Sequence, residues 1–310
     1  MNATTPNAPL NSDRVADARL MTIATYAAVC MALTLITIKF AGWLMTDSVS
    51  LLSTLIDSLL DVGASTVNLL AVRHALQPAD EEHRFGHGKA ESLAGLAQAA
   101  FISGSAVFLL LQAGERLYHP SLVTNTWVGY GVMAFSIVAT LALVLFQKYV
   151  VKRTGSLAIS ADSAHYTMDV LVNVSVVASL FLSTQLGWVL ADPLFAIAIS
   201  FYILHGAYEV GIAAYHVLMD RELPDKERAK IKEIALKHPK VNDVHDLRTR
   251  LSGQDSFIQM HLEMNGNHTL YVAHEIAEDV MLQVQNAFPN AEVLIHQDPV
   301  GIDEQRAFND

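Results

Sequence analysis

Asp57-Ser58-Leu59-Leu60-Asp61 sits inside an apolar run from about Val49 to Val72. On a helix, side chains four residues apart project from one face, about one turn apart along the axis. In a soluble helix this is an ordinary wetted face. In a segment able to cross a bilayer, each carboxylate costs roughly 2.5–3.5 kcal/mol on insertion scales. Two on one face need an interior role, and a bound cation is the simplest partner. A second pair with the same spacing, His165-Tyr-Thr-Met-Asp169, lies in another apolar run. No lysine or arginine is expected at comparable depth, so simple ion pairing does not explain the carboxylates. The two runs point in opposite directions and carry their pairs at matching depth near the bilayer midplane. Asp57, Asp61, His165 and Asp169 are therefore expected to form one four-coordinate transport site.

The donor set points to a particular class of ion. Three carboxylates and one imidazole suit Zn²⁺, with Cd²⁺, Co²⁺ and Fe²⁺ as relatives, and a four-coordinate shell favours zinc. Mg²⁺ prefers six oxygen ligands. The ligands must lose protons to bind, so protons and metal compete for the same atoms.

The rest of the chain is consistent with a membrane protein. Of 310 residues, 52% are hydrophobic and only 16% charged, against about 25% charged in soluble domains. Mean hydropathy is +0.32. The net charge of −11 and the lack of a basic stripe exclude a nucleic-acid binder. Cys30 is the only cysteine, which leaves no intrachain disulfide or CxxC site, so the thirteen histidines are the softer ligands available. The first dozen residues lack the order of a signal peptide.

Six spans are expected, beginning near Met21, Val49, Leu93, Trp127, Leu157 and Asp192. Arg14, Arg19, Arg73, Arg84, Lys89, Lys148, Lys152 and Arg153 fall on one side. Only Arg116, and Lys39 if its long stem snorkels to the headgroups, fall on the other. The first side is then cytoplasmic, with both termini inside. From Pro224 the period changes. A charged helix is followed by two alternating runs, Val241–Leu251 and Phe257–Met264, joined at Ser252-Gly-Gln-Asp255, then an amphipathic helix and a third strand near Val293–His296. The fold class is a six-helix all-α membrane domain plus a cytoplasmic α+β domain of order αββαβ. The expected boundaries are an arm at 1–12, the transport domain at 13–210, a linker at 211–223, the cytoplasmic domain at 224–300 and a tail at 301–310.

Two further clusters have ligand spacing. Asp80, His83 and His87 form a D-x-x-H-x-x-x-H set in the second loop. His245, His261, His296 and Asp298 fall on or beside the three strands, with His274 on the intervening helix. Asp162, one turn before His165, is either a helix-entry residue or an attractor for cations. His205 and Glu209 are expected to face water. His274-Glu-Ile-Ala-Glu278 lacks the second histidine of a zinc-protease helix, and no Walker A loop occurs. No nucleotide cofactor is expected, and the chain reads as a secondary transporter and not an enzyme. A membrane metal sensor would not need charged ligands at the midplane. An intramembrane metalloenzyme would need an open coordination position.

The D-x-x-x-D and H-x-x-x-D pairs, the loop Gln77-Pro-Ala-Asp80 with Phe85-Gly-His-Gly-Lys-Ala-Glu91, and the tail Ile295-His-Gln-Asp-Pro299 resemble the cation diffusion facilitator family. The similarity is to its bacterial ferrous-iron and zinc efflux pumps. It implies a proton-coupled homodimer in the bacterial inner membrane, carrying Zn²⁺ or Fe²⁺, with a metallochaperone-like cytoplasmic domain. It places a transport site on Asp57, Asp61, His165 and Asp169, and a loop site on Asp80, His83 and His87. It places a cytoplasmic zinc pair on His245, His261, His296 and Asp298, with His274 beside them, and a charge interlock between subunits on Lys89 and Asp220.

Overall fold

The computed structural model describes residues 12–46, 49–118, 127–186, 188 and 190–301. Contacts divide the chain into two units. One comprises the helices up to Tyr215; the other takes the loop Ala79–Lys89 together with the chain from His216 onward.

The first unit is built from α1 (Ser12–Thr46), α2 (Val49–Ala75), α3 (Lys89–Tyr118), α4 (Trp127–Thr154), α5 (Leu157–Leu186) and α6 (Ala191–Leu218). Among the described residues, four stretches are long and apolar enough to cross a membrane: Asp13–Met45, Lys89–Tyr118, Gly131–Thr154 and Ala191–Leu218. Helices α2 and α5 are of similar length and carry polar residues, Asp61, Ser65 and Asn68 on one and Asp162, His165 and Asp169 on the other. Their polar faces turn inward: Ser58, Ser65, Asn68, Asp162 and His165 are all buried. The outward faces of the helices expose large apolar side chains such as Leu59, Leu70, Phe108, Val138, Leu145 and Phe181. This inversion suits a hydrocarbon solvent, in which backbone polar groups must be satisfied within the helices.

Small residues let the helices approach closely. Met21 and Ala24 of α1, Val72 of α2, Ala94 of α3, Val150 of α4, and Ala158 and Ile159 of α5 form one buried cluster. Ile102 and Ala106 of α3 pack on Ile203 and Ala207 of α6 in another. Tyr166, fully buried, shares a hydrogen bond with Ser65 at 2.9 Å and donates to the Ala28 carbonyl at 3.1 Å. One phenol thereby ties α5 to both α1 and α2.

Lys39 departs from the snorkelling expected of it. Its Nζ donates to Ser58 on α2 at 2.6 Å, one residue from Asp57 and one turn from Asp61. A buried hydroxyl on the facing helix offers the ammonium a partner without a climb to the headgroups.

The second unit contains α7 (Asp225–Leu236), β1 (Val241–Ser252), β2 (Asp255–Met264), α8 (Leu270–Ala287) and β3 (Ala291–Pro299). The sheet order is β1-β2-β3, antiparallel between β1 and β2 and parallel between β2 and β3. Gly253, at φ +62°, makes the tight turn of the hairpin. Alternation along β2 sends Ile258, Met260, Leu262 and Met264 into the core with Ile231 of α7 and Ile276, Val280 and Val284 of α8. It leaves His261 and Glu263 on the other face. Helix α6 continues to Leu218, into the segment read from sequence as a linker.

The loop Ala79–Lys89 is fastened to this sheet at three points. A Cβ on Gly88 would lie 2.2 Å from the Ser252 carbonyl oxygen, so only glycine permits that approach. The Arg250 guanidinium lies over two rings that meet edge-on, 4.8 Å from the centre of Phe85 and 4.5 Å from that of Phe257. Asp220 accepts from Lys89 at 2.8 Å and from Arg250 at 3.4 Å. Partial burial would raise the Asp220 carboxyl, but these two cations outweigh it and hold the group below its ordinary value of 3.8.

Two outcomes are expected. Gly88→Ala lowers the stability of the cytoplasmic unit by about 1–3 kcal/mol and exposes the loop to protease, whereas Gly104→Ala, with open space around it, does neither. Because the Asp220 carboxyl is held low, its pairs stabilise the fold above pH 3.8 and are lost as pH falls below that value. Half-exposed and screened, they contribute only about 0.5–1 kcal/mol. Asp220→Asn therefore lowers the melting temperature of the full-length protein slightly at neutral pH and not at all in acid below its titration.

Candidate metal sites

The first cluster comes from α2 and α5. His165 Nε2 lies 3.0 Å from Asp61 Oδ1 and 3.9 Å from Asp169 Oδ2. A tetrahedral zinc shell with bonds of about 2.0–2.1 Å separates its ligand atoms by roughly 3.4 Å. The two observed distances bracket that value. The His165 side chain is only 3% exposed, Asp61 13% and Asp169 28%, so the cluster is dry on one side and open on the other. Nδ1 of His165 is buried without a hydrogen-bond partner, which leaves the ring held by packing against Phe101 and Tyr166. The Tyr166 hydroxyl anchors the adjacent backbone. Asp57, the fourth ligand expected from sequence, is on α2, but its side chain lies outside those described.

Asp162 does not sit at a helix entrance open to water. It is 1% exposed, and its two oxygens accept from Gln98 of α3 at 3.2 Å and Gln147 of α4 at 2.6 Å. Neutral amides satisfy it from two other helices, so it braces α5 against α3 and α4 one turn before His165. Glu91, also buried, accepts from Ser156 at 2.9 Å and joins α3 to the start of α5. At the opposite end Asp192 binds Arg116 at 2.5 Å and Ser179 at 3.0 Å, linking α6 to α3 and α5. Sequence spacing singles out neither the glutamines nor Ser156, because their partners are far away in the chain.

The loop cluster folds around Asp80. Its Oδ1 accepts the backbone N–H groups of Glu82 at 3.0 Å and His83 at 2.6 Å, a turn that brings the two histidines back over the carboxylate. His83 Nδ1 lies 3.4 Å from Asp80 Oδ1 and His87 Nε2 3.3 Å from Oδ2. The His83 N–H holds the carboxyl below its usual range against a small opposing effect of burial, helped by the Glu82 N–H and the two rings. The three residues offer ligand atoms close enough to share one ion.

The third cluster lies on the open face of the sheet. Register places His245 opposite His261 and His261 opposite His296, so one histidine from each strand forms a row. The ring centres are 5.3 and 4.6 Å apart. A register shift follows His245, where Asp246 takes φ +46°, and such bulges re-aim neighbouring side chains. Asp298, 7% exposed, is the hub. Its Oδ2 is 2.8 Å from His261 Nδ1 and 3.3 Å from His245 Nε2, and its Oδ1 is 3.1 Å from His296 Nε2. Three imidazoles around one dry carboxylate match the donor preferences of zinc. His274 stands apart, exposed on α8, because the stripe Ile276, Ala277, Val280 and Val284 takes the sheet-facing side of that helix. His205 and Glu209 are exposed, as expected, 3.6 Å apart on α6. Lys89 and Asp220, expected as an interlock between subunits, pair here within one chain.

Comparison with known proteins agrees with this layout. Residues 25–219 match the family described as cation efflux transmembrane domain, and residues 223–300 match the cation efflux protein cytoplasmic domain. The cation-efflux pump FieF of Salmonella arizonae is 49% identical over 284 residues, covering 92% of this chain and 94% of that protein. The FieF of Salmonella schwarzengrund matches over the same shares at the same identity. Among solved structures, the zinc form of the putative zinc transporter CzrB is 30% identical, covers 28% of this chain and 99% of its own, and has a TM-score of 0.26. The chain belongs to the cation efflux (cation diffusion facilitator) family and is a membrane transporter of divalent metal cations, not an enzyme.

Proposed function

We propose that this protein exports Zn²⁺, and with it Fe²⁺, Cd²⁺ or Co²⁺, from the cytoplasm across the bacterial inner membrane in exchange for protons, working as a homodimer by alternating access. The observation that carries the reading is the Asp61–His165–Asp169 cluster, buried between two helices whose outer faces are apolar. A buried carboxylate–imidazole contact of 3.0 Å fits two occupants. A proton on His165 Nε2 donates to Asp61 Oδ1 directly. A divalent ion placed between the same atoms is ligated by both. One occupant excludes the other, since a metal ligand must be deprotonated. Metal arriving from the cytoplasm displaces protons, and protons arriving from outside release metal. Rigid-body rocking of a helix group exposes the same cluster to each side in turn.

The loop and sheet clusters are assigned regulatory and structural metal sites. Metal bound there favours whichever arrangement of the dimer completes its shell, and so biases the conformational equilibrium. His274, exposed on α8, is assigned to the same cytoplasmic site, and Lys89 and Asp220 to the charge lock that steadies the dimer. Both termini lie in the cytoplasm on this reading. The domain boundaries are those expected from sequence: an arm at 1–12, transport domain at 13–210, linker at 211–223, cytoplasmic domain at 224–300 and tail at 301–310.

The test is zinc uptake into proteoliposomes holding the full-length protein. An acidic lumen accelerates uptake relative to pH-balanced vesicles, and Asp61→Ala lowers it by at least about a hundredfold, since loss of a direct ligand exceeds the 10–100-fold cost of losing an outer-shell partner. Equal flux in wild type and variant rejects the transport site; indifference to the pH gradient rejects proton coupling. Fe²⁺ and Mn²⁺ flux in the same vesicles ranks the cargo.

A further inference from the structure

The two ring nitrogens of His245 meet different surroundings. Nε2 faces the sheet cluster, 3.3 Å from Asp298 Oδ2. Nδ1 faces the other way, 3.7 Å from Glu263 Oε1, and is buried without a hydrogen-bond partner in a residue only 4% exposed. Glu263 stands directly across the β1–β2 ladder from Asp243. Like charges placed opposite one another destabilise a sheet. Asp243, Glu263 and His245 nonetheless offer polar atoms all within 4.8 Å of one another.

A neutral imidazole has one lone pair and one N–H. The Asp298 side gathers two further histidines and is the richer ligand set, so metal there takes the Nε2 lone pair. The proton then resides on Nδ1. A buried N–H left without an acceptor is destabilising, and a carboxylate acceptor removes that cost while raising the basicity of the ligating nitrogen. Closing 3.7 Å to a hydrogen bond of about 2.9 Å needs less than an ångström of movement. The same N–H, placed between Glu263 and Asp243, relieves the repulsion of the cross-strand pair.

We propose that Glu263, assisted by Asp243, is a positioning residue. It fixes His245 in the Nδ1–H tautomer and aims Nε2 at the metal held with Asp298, His261 and His296. This rests on the cytoplasmic metal site proposed above.

The experiment measures Zn²⁺ affinity and stoichiometry by chelator competition on the full-length protein in detergent. An Asp61→Ala, His83→Ala background silences the other two clusters. Glu263→Ala weakens binding about 10–100-fold, and Glu263→Gln, isosteric and still an acceptor, restores part of the loss. With His245→Ala already present, Glu263→Ala has no further effect. The inference is overturned if Glu263→Ala leaves the affinity unchanged, or weakens it equally when His245 is gone. It is also overturned if Glu263→Ala removes one zinc per chain and leaves the rest as tightly held, which makes the carboxylates ligands in their own right. Where Glu263→Ala fails to fold, the glutamine variant supplies the same comparison. If His245→Ala itself leaves zinc affinity intact, it is the cytoplasmic site that fails, not the role of Glu263 within it.

Discussion

The structure depends on keeping charge inside an apolar shell. A carboxylate within a membrane span costs roughly 2.5–3.5 kcal/mol, so it persists only where neighbours satisfy it. Here Asp61 turns to His165, Asp162 to Gln98 and Gln147, and Asp192 to Arg116 and Ser179. Each contact joins different helices. The polar groups that make transport chemistry feasible are therefore also the points that set how the helices pack. A helix that moves must exchange these partners.

The three clusters share a design. Each joins carboxylate to imidazole, and each is held in place by a hydrogen bond or a strand register around it. Tyr166 anchors α5 beside His165 through Ser65 and the Ala28 carbonyl. An Asp80 oxygen draws in the Glu82 and His83 amides and folds the loop. The bulge at Asp246 and the register of three strands line up His245, His261 and His296. Burial differs among the clusters: His165 is almost sealed, whereas the His296 side chain is 62% exposed.

The loop Ala79–Lys89 follows α2 in the chain but belongs, by its contacts, to the cytoplasmic unit. The Gly88 approach to Ser252, the contacts of Arg250 with Phe85 and Phe257 and the Lys89–Asp220–Arg250 ion pairs make loop and sheet one body. The Asp80 cluster therefore sits on that body, although its residues lie between two membrane helices in the sequence.

The sequence by itself determined the number and order of helices, the αββαβ domain and which polar residues share a helix or strand face, because these follow from local periodicity: i,i+4 on a helix, i,i+2 on a strand. It also identified Asp80, His83 and His87, whose proximity is a property of one short turn. Tertiary structure alone decided which distant groups meet. It sent Lys39 to Ser58, not to the headgroups, and gave Asp162 two glutamine partners. It left His274 outside the row of strand histidines and put Glu263 behind His245. Those pairings join residues far apart in the chain, where spacing carries no signal. What selects them is the requirement that a polar group buried away from water find its partner wherever the packing places one.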